Sequence, residues 1–172
     1  VVAQAAGIDV FGTMARWTDE VFSLGTVRSS SVGYVPPEEP AEYGALQEAL
    51  DAYQVTEVSA PTWIPEGYIL GFVEAEYWAE TGELSFYTEY VYGSDVLQVI
   101  VTSYSDGPNM QIEKKATPVE TVETEWTTVY LLENTNDRTA IWATEHFECI
   151  ISGVLEKSEL LQMALSSCAV DE

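Results

Sequence analysis

The chain has 172 residues, 47% of them hydrophobic, which is enough for one domain with a core of its own. Its 6 lysines and arginines stand against 29 aspartates and glutamates, a net charge of −23. That excess argues against nucleic acid, which needs clustered cations, and against adsorption to anionic lipid. With 12% aromatic residues and a mean hydropathy of −0.01, the chain is unlike acidic disordered proteins and should pack. The charge serves either as a self-repelling, soluble surface or as an attractor of cations: calcium, peptides or amines.

The sequence opens at Val1 with no methionine, basic leader or apolar run of membrane-spanning length. It therefore reads as a mature or trimmed chain that carries no anchor of its own. Residues 5–22 show a helical period, with Val10, Met14, Trp17 and Val21 spaced by four, three and four and Phe11, Ala15 and Phe22 beside them. A Ser-, Gly- and Pro-rich loop follows over 25–40. A second helix is predicted over 41–53, with Tyr43, Leu46, Leu50 and Tyr53 on its buried face and Glu42, Gln47, Glu48 and Asp51 in solvent.

The stretch "PTWIPEGY", 61–68, then reads as a stiff elbow. Pro61 and Pro65 hold the residues before them extended, Gly67 permits a turn, and Trp63 either plugs the edge of the core or offers a platform for a peptide or sugar. From Tyr68 the period shortens towards two. The runs 68–78, 84–93 and 96–104 are separated by tight turns at "TGE" and "GSD", and 105–111 is a polar loop. Further strands fall at 118–123, 126–132, 139–145 and 146–152, with "ENTNDR" as a hairpin tip. Six or seven strands joined in sequence by short turns imply a largely antiparallel sheet. A last helix over 157–167 would bury Leu160, Leu161, Ala164 and Leu165.

Cys149 and Cys168 are the only cysteines, with no Cys-x-x-Cys, so zinc ribbons and dithiol redox motifs are not expected. The helix folding back on its strand could bring them into a disulfide; two separately buried thiols are the alternative. His146, the one histidine, lies three residues from Cys149, a spacing that puts them on opposite strand faces and disfavours a dyad. There is no phosphate loop, no dinucleotide fingerprint and no nucleophile elbow. No cofactor is expected. Calcium is the one ion the oxygen-rich loops "SDGPN" and "ENTND" could take, though neither follows the twelve-residue calcium loop. The aromatic surplus is concentrated on strands. Tyr87 and Glu89, alternating with Phe86 and Tyr90, mark a sheet face that either binds a peptide, glycan or lipid or lies under a helix.

Four segments carry a resemblance across nearly the whole chain: "GIDVFGTMARWTDEVFSLG", "LQEALDAYQVTE", the elbow "PTWIPEGY", and "IWATEHFECIISGVLEKSELLQMALSS" with Trp142, Phe147, Gly153 and Leu160. Together they resemble the bacterial DUF4367 family, a domain of unknown function. The resemblance implies an extracytoplasmic, cell-surface domain of a Gram-positive membrane-anchored protein, with a membrane tether before Val1 and, in some members, an anti-sigma-like regulatory region inside the cell. It supplies no catalytic residue.

The expectation is thus an α+β fold: two N-terminal helices, a twisted, largely antiparallel sheet of six or seven strands, and a C-terminal helix packed on it. Residues 1–172 form one extracytoplasmic domain with a helical part at 1–60, a strand-rich part at 61–153 and the last helix at 154–172. Its expected role is noncatalytic binding or sensing of an envelope ligand or protein partner, with Trp63, Tyr87 and Glu89 as the binding surface. The alternatives are a lipid or lipopeptide carrier and a carboxylate-based cell-wall hydrolase.

Overall fold

The computed structural model describes residues 5–8, 13–17, 21–26, 33–37, 42–103 and 110–168. Two sheets and two helices account for most of them. The strands are β1 (Ala5–Ile8), β2 (Thr13–Trp17), β3 (Val21–Thr26), β4 (Ile69–Trp78), β5 (Glu83–Tyr92), β6 (Asp95–Ser103), β7 (Met110–Glu113), β8 (Glu120–Glu123), β9 (Thr128–Glu133), β10 (Arg138–Ala143) and β11 (Phe147–Gly153). The helices are α1 (Leu46–Ala52) and α2 (Lys157–Cys168). The large sheet runs β4-β5-β6-β11-β10-β9-β8, the small one β1-β2-β3-β7, and every pairing is antiparallel. The large sheet is therefore two meanders, β4–β6 and β8–β11, joined where β6 pairs with β11.

The N-terminal segment corrects the sequence reading. The described residues of 5–22 do not form a helix: 5–8, 13–17 and 21–22 lie in β1, β2 and the start of β3, with Ala15 opposite Leu24 and Trp17 opposite Phe22. Gly7 and Gly12 each cost about 1 kcal/mol in a helix, and Ile8, Thr13 and Thr26 are β-branched. The period that decides the matter is the two-residue one of Phe22 and Leu24, both buried on either side of half-buried Ser23. Val10 and Phe11 lie outside the described residues.

α1 starts later than the sequence period suggests. Gly44 is a poor helix residue, and its N–H donates to Glu48 Oε2 at 2.8 Å, which fixes it as part of the entry instead. At the other end Gln54 adopts a left-handed conformation, φ +58°, while the N–H groups of Gln54 and Val55 donate to Asp51 and Leu50 carbonyls at 3.0 and 2.9 Å. That double closure is a Schellman motif.

α2 buries Leu160, Met163, Ala164, Ser167 and Cys168, whereas Leu165 is exposed. The buried stripe is thus rotated from the one read off the sequence, at spacings of three, one, three and one. Glu159 Oε2 accepts the Glu156 N–H at 3.1 Å and closes the helix start.

The two halves of the large sheet differ in how many faces they bury. β9 and β10, "TVYLLE" and "RTAIWA", are nearly continuous apolar runs, and four and five of their residues respectively are buried. Val129, Leu131, Ala140 and Trp142 face the main core beneath the helices; Tyr130, Leu132, Ile141 and Ala143 face Ala15, Phe22 and Leu24 of the small sheet. β5 and β6 alternate instead: Leu84, Phe86, Leu97, Val99 and Val101 enter the main core, and the residues between them are only partly buried. The elbow lies on the main-core side. Trp63 packs against that core and its backbone N–H donates to Ser166 Oγ of α2 at 3.3 Å, while the Ala60 backbone N–H donates to Gln47 Oε1 of α1 at 3.0 Å.

Candidate functional site

Alternation in β4–β6 leaves one sheet face pointing away from the helices, and the small sheet's buried contacts are made with β9 and β10. On β4 that outer face carries Ile69, Phe72, Glu74, Glu76 and Trp78. The spacing of three between Ile69 and Phe72 breaks a strict period of two, and a bulge at Gly71 absorbs it, so that Ile69 pairs with Val91 and Phe72 with Glu89. A Cβ at Gly71 would sit 3.2 Å from the Glu89 carbonyl oxygen, so the close approach favours glycine there.

Across β5 the same face continues with Tyr87 and Glu89, and across β6 with Gln98 and Ile100. Phe72 and Tyr87 rings lie 5.5 Å apart at 30°. Gln98 donates its side-chain N–H to the Tyr87 hydroxyl, and Ser85 and Thr102 hydroxyls meet at 3.0 Å. Partial burial, then the Glu89 charge and its hydrogen bond, raise the Tyr87 phenol above its ordinary value, so it remains a neutral donor. Ile69, Phe72 and Trp78 stay 67%, 43% and 40% exposed, which is unusual for large apolar side chains gathered on one strand. The face thus combines aromatic area with carboxylates, as Tyr87 and Glu89 suggested.

Trp63 is not part of it. It packs on the helix side of the sheet, so the structure separates it from Tyr87 and Glu89 by the thickness of the sheet. Its position fits the plug rather than the platform. Phe72, Glu74, Glu76 and Trp78 were missed, yet "GFVEAEYW" shows them at a period of two once the bulge is allowed for.

A second feature lies at the far end of the sheet. His146 sits in the β10–β11 turn, where its ring Nδ1 is 2.8 Å from Glu57 Oε1 and its backbone N–H donates to Glu57 Oε2 at 3.0 Å. One carboxylate thereby ties the segment after α1 to the turn. Beside it a cavity of about 200 Å³ is lined by Glu57, Trp126, Thr127, Trp142, Glu145 and Cys168, among others. Trp126 is 49% exposed at this cavity and Trp142 is buried. The Tyr34 hydroxyl is buried without a hydrogen-bond partner among the described residues, and burial followed by the Glu57 charge raises its pKa far above the ordinary range.

Cys149 and Cys168 are both free thiols and both buried in the main core. Burial, then the charges of Cys168, Glu57 and Glu148, raise Cys149 well above its ordinary value; burial lifts Cys168 to about 12. Neither is a ready nucleophile at neutral pH. Of the two oxygen-rich loops, 105–109 lies outside the described residues. In 133–137 Asn134 N–H donates to the Asp137 carbonyl at 2.9 Å, and Glu133 is engaged by Arg138 Nε at 3.4 Å, so these oxygens serve the hairpin. No cluster of three metal-ligating side chains occurs among the described residues. Nor is any helix there long and apolar enough to cross a membrane.

The fold and site define an antiparallel α+β domain with helices on one side of a seven-stranded sheet and an open aromatic–acidic surface on half of the other. The chain belongs to the family described as a domain of unknown function, DUF4367, whose model matches residues 58–166, from just before the elbow to near the end of α2. No curated protein matches it. Among solved structures, the crystal structure of MucB in complex with MucA(peri) is similar over 96% of this chain and 65% of that one, at 12% identity and a TM-score of 0.36. That likeness is too slight to carry the fold or a function across.

Proposed function

We propose that this chain is a noncatalytic, extracytoplasmic binding or sensing domain of a membrane-anchored, anti-sigma-like regulatory protein. Its partner is an envelope ligand or protein taken up on the outer face of β4–β6. The observation that carries the reading is exposed Phe72 packed on half-buried Tyr87, flanked by Ile69, Trp78 and Glu89 on strands whose other face is the solid main core. Apolar and aromatic area left open beside fixed polar groups is what binding surfaces present. The cavities near the turns measure about 190–210 Å³, against roughly 300–1,000 Å³ for pockets that bury drug-sized ligands. Among the described residues, these dimensions favour a surface site over the enclosed chamber that a lipid carrier needs.

The test is a titration of the isotopically labelled domain with solubilised envelope peptides and glycan fragments, following backbone and aromatic resonances. Shifts gathered on Phe72, Tyr87, Glu89 and Gln98, lost in Phe72→Ala with Tyr87→Ala, are the expected result. Shifts confined to Trp126 and Trp142, or turnover of a wall fragment, would refute it. The anchoring is tested separately by sequencing the gene upstream of the Val1 codon, where a membrane-spanning segment is expected.

A further inference from the structure

β4 is one edge of the large sheet, and among the described residues no strand pairs with its outer side. An open edge is a row of backbone donors and acceptors that any extended chain can complete, and proteins usually blunt it with proline, lysine or other charges, a bulge, a short length or a covering segment. Of these, β4 has the bulge at Gly71 near its start and the carboxylates of Glu74 and Glu76, and among the described residues no strand covers it. It is ten residues long with no proline and no lysine, and beyond the bulge at Gly71 its register runs unbroken from Phe72 to Trp78. The opposite edge shows the contrast. β8 has four residues, and its Glu120 carboxylate is taken by Lys157 at 2.8 Å.

The only charges on β4 are Glu74 and Glu76, both exposed and in no ion pair among the described residues. They lie in a region of uniform sign: no lysine, arginine or histidine stands anywhere between Arg28 and Lys114. This decides what the edge can accept. Two copies of β4 pairing antiparallel about Ala75 would set Glu74 opposite Glu76 twice, and like charges directly opposite destabilise a ladder. A net charge of −23 on each copy opposes the encounter as well. A strand bearing lysine or arginine at those two positions instead gains two opposed pairs and is steered in by the field.

We infer that the β4 edge binds, by strand addition, an extended cationic segment of a protein partner. That segment carries basic residues facing Glu74 and Glu76 and apolar residues facing Phe72 and Trp78. This rests on the proposal that the outer face is the binding surface and adds to it the partner's chemistry and the mode of contact. The pattern recognised is apolar-x-basic-x-basic-x-apolar, because only alternate residues of an added strand lie on the outer face. Backbone hydrogen bonds hold the segment and the alternate side chains select it.

The probe is the capped heptapeptide V-T-K-T-K-T-V, titrated into the full chain at low ionic strength and read by fluorescence anisotropy and amide hydrogen exchange. Two relatives accompany it: V-T-E-T-E-T-V, and the lysine peptide N-methylated at alternate residues, which keeps the charge and removes the donors that would meet the edge. Binding of the lysine peptide alone, with exchange slowed across 69–78, is the expected result. Glu74→Lys with Glu76→Lys should reverse the preference towards the glutamate peptide, by about tenfold from two inverted cross-strand pairs. Because that variant gains a ligand, misfolding cannot imitate the outcome. Equal binding of the N-methylated peptide, protection elsewhere, or no binding of the lysine peptide overturns the inference. If N-methylation has no effect but Phe72→Ala with Tyr87→Ala weakens binding, the edge mode fails and the face remains; if neither change matters, both fail.

Discussion

The elbow can be tested at Gly67. Tyr68 N–H donates to the Pro65 carbonyl at 3.3 Å, and Gly67 at the third position of this turn has φ +91°. A Cβ there would lie 2.8 Å from Tyr92 Cε2 and 3.0 Å from Cδ2. Two costs follow for Gly67→Ala. Holding an L-residue left-handed costs about 1–2 kcal/mol, of which about 0.4–1 is offset by the smaller entropy of the unfolded alanine chain. The Tyr92 ring, 57% exposed, can swing away, but it then leaves Tyr68, whose ring centroid is 5.7 Å distant; such pairs contribute about 0.5–1.5 kcal/mol. The net loss should be about 1.5 kcal/mol, or roughly 3–6 °C in Tm for a chain of this size. Gly82→Ala is the control: its φ is +71° with no atom within 4 Å of the added Cβ, so only the strain remains. Urea unfolding with an unchanged m-value is the assay. If Gly67→Ala costs no more than Gly82→Ala, the elbow is not seated on Tyr92 and its architectural role is wrong.

Gln54→Gly should stabilise the chain by about 0.5–1 kcal/mol, since it relieves the φ +58° strain at the end of α1; a lower urea midpoint would contradict the Schellman closure. Glu57→Ala removes the acceptor of both the ring and backbone bonds of His146 and should cost about 1–3 kcal/mol, with exchange fastest in the β10–β11 turn; exchange that rises equally everywhere would argue against a local clamp. The thiols set an alkaline limit. Both folded pKa values are raised above the ordinary 9.0, so the stabilisation is whole below pH 9. It falls towards pH 12 as the unfolded chain ionises and the native one does not, by up to about 1.4 kcal/mol per pH unit for each thiol. Cys149→Ala should flatten that decline, and an unaltered slope would assign it to the tyrosines. Cys149 and Cys168 share one buried cluster, and Trp142, the register partner of Cys149, lines a cavity with Cys168. Both are free thiols in the structure, and refolding with oxidised glutathione tests whether they can join: a bond would add about 3 kcal/mol, and two glutathione adducts in its place would rule the pairing out.

The strand-rich part was legible because its local signals agree. β4, β5 and β6 show alternation bounded by glycine turns, and the runs of β9 and β10 are apolar enough to be buried on both faces. The N-terminal segment misled because Val10, Met14, Trp17 and Val21 satisfy a helical spacing while the glycines and β-branched residues argue the other way. A strand of five residues offers few positions with which to settle such a conflict. The small sheet could not be read at all, since β7 follows the large sheet's first meander in sequence, and no local pattern encodes a partner as distant as Glu113 is from Val21. Of the site, Tyr87 and Glu89 were visible as an alternation. Trp63 was assigned to the same surface because aromatic exposure cannot be judged before the sheet has two sides. Glu57 and His146 carry no signal in their own neighbourhoods, being brought together only by the turn after α1.

The same sheet is thus built differently in its two halves, and the difference lies in the hydrophobic pattern. Where both alternate sets are apolar, as in β9 and β10, each face is covered and the contacts stabilise the fold. Where one set is apolar and the other mixes Phe72, Trp78 and Tyr87 with Glu74, Glu76 and Glu89, the helices cover one face and the other stays open. A face kept open with exposed aromatics forgoes burial worth about 25 cal/mol per Å² of apolar area. Its carboxylates also repel one another, with no cation between Arg28 and Lys114 to relieve them. Stability alone gives no reason for either feature. Both are accounted for if a cationic chain adds to the β4 edge of that face, since its alternate side chains cover Phe72 and Trp78 and neutralise Glu74 and Glu76 in one step. On that reading the free domain should gain stability from high salt, and a bound basic segment should raise Tm by more than salt does.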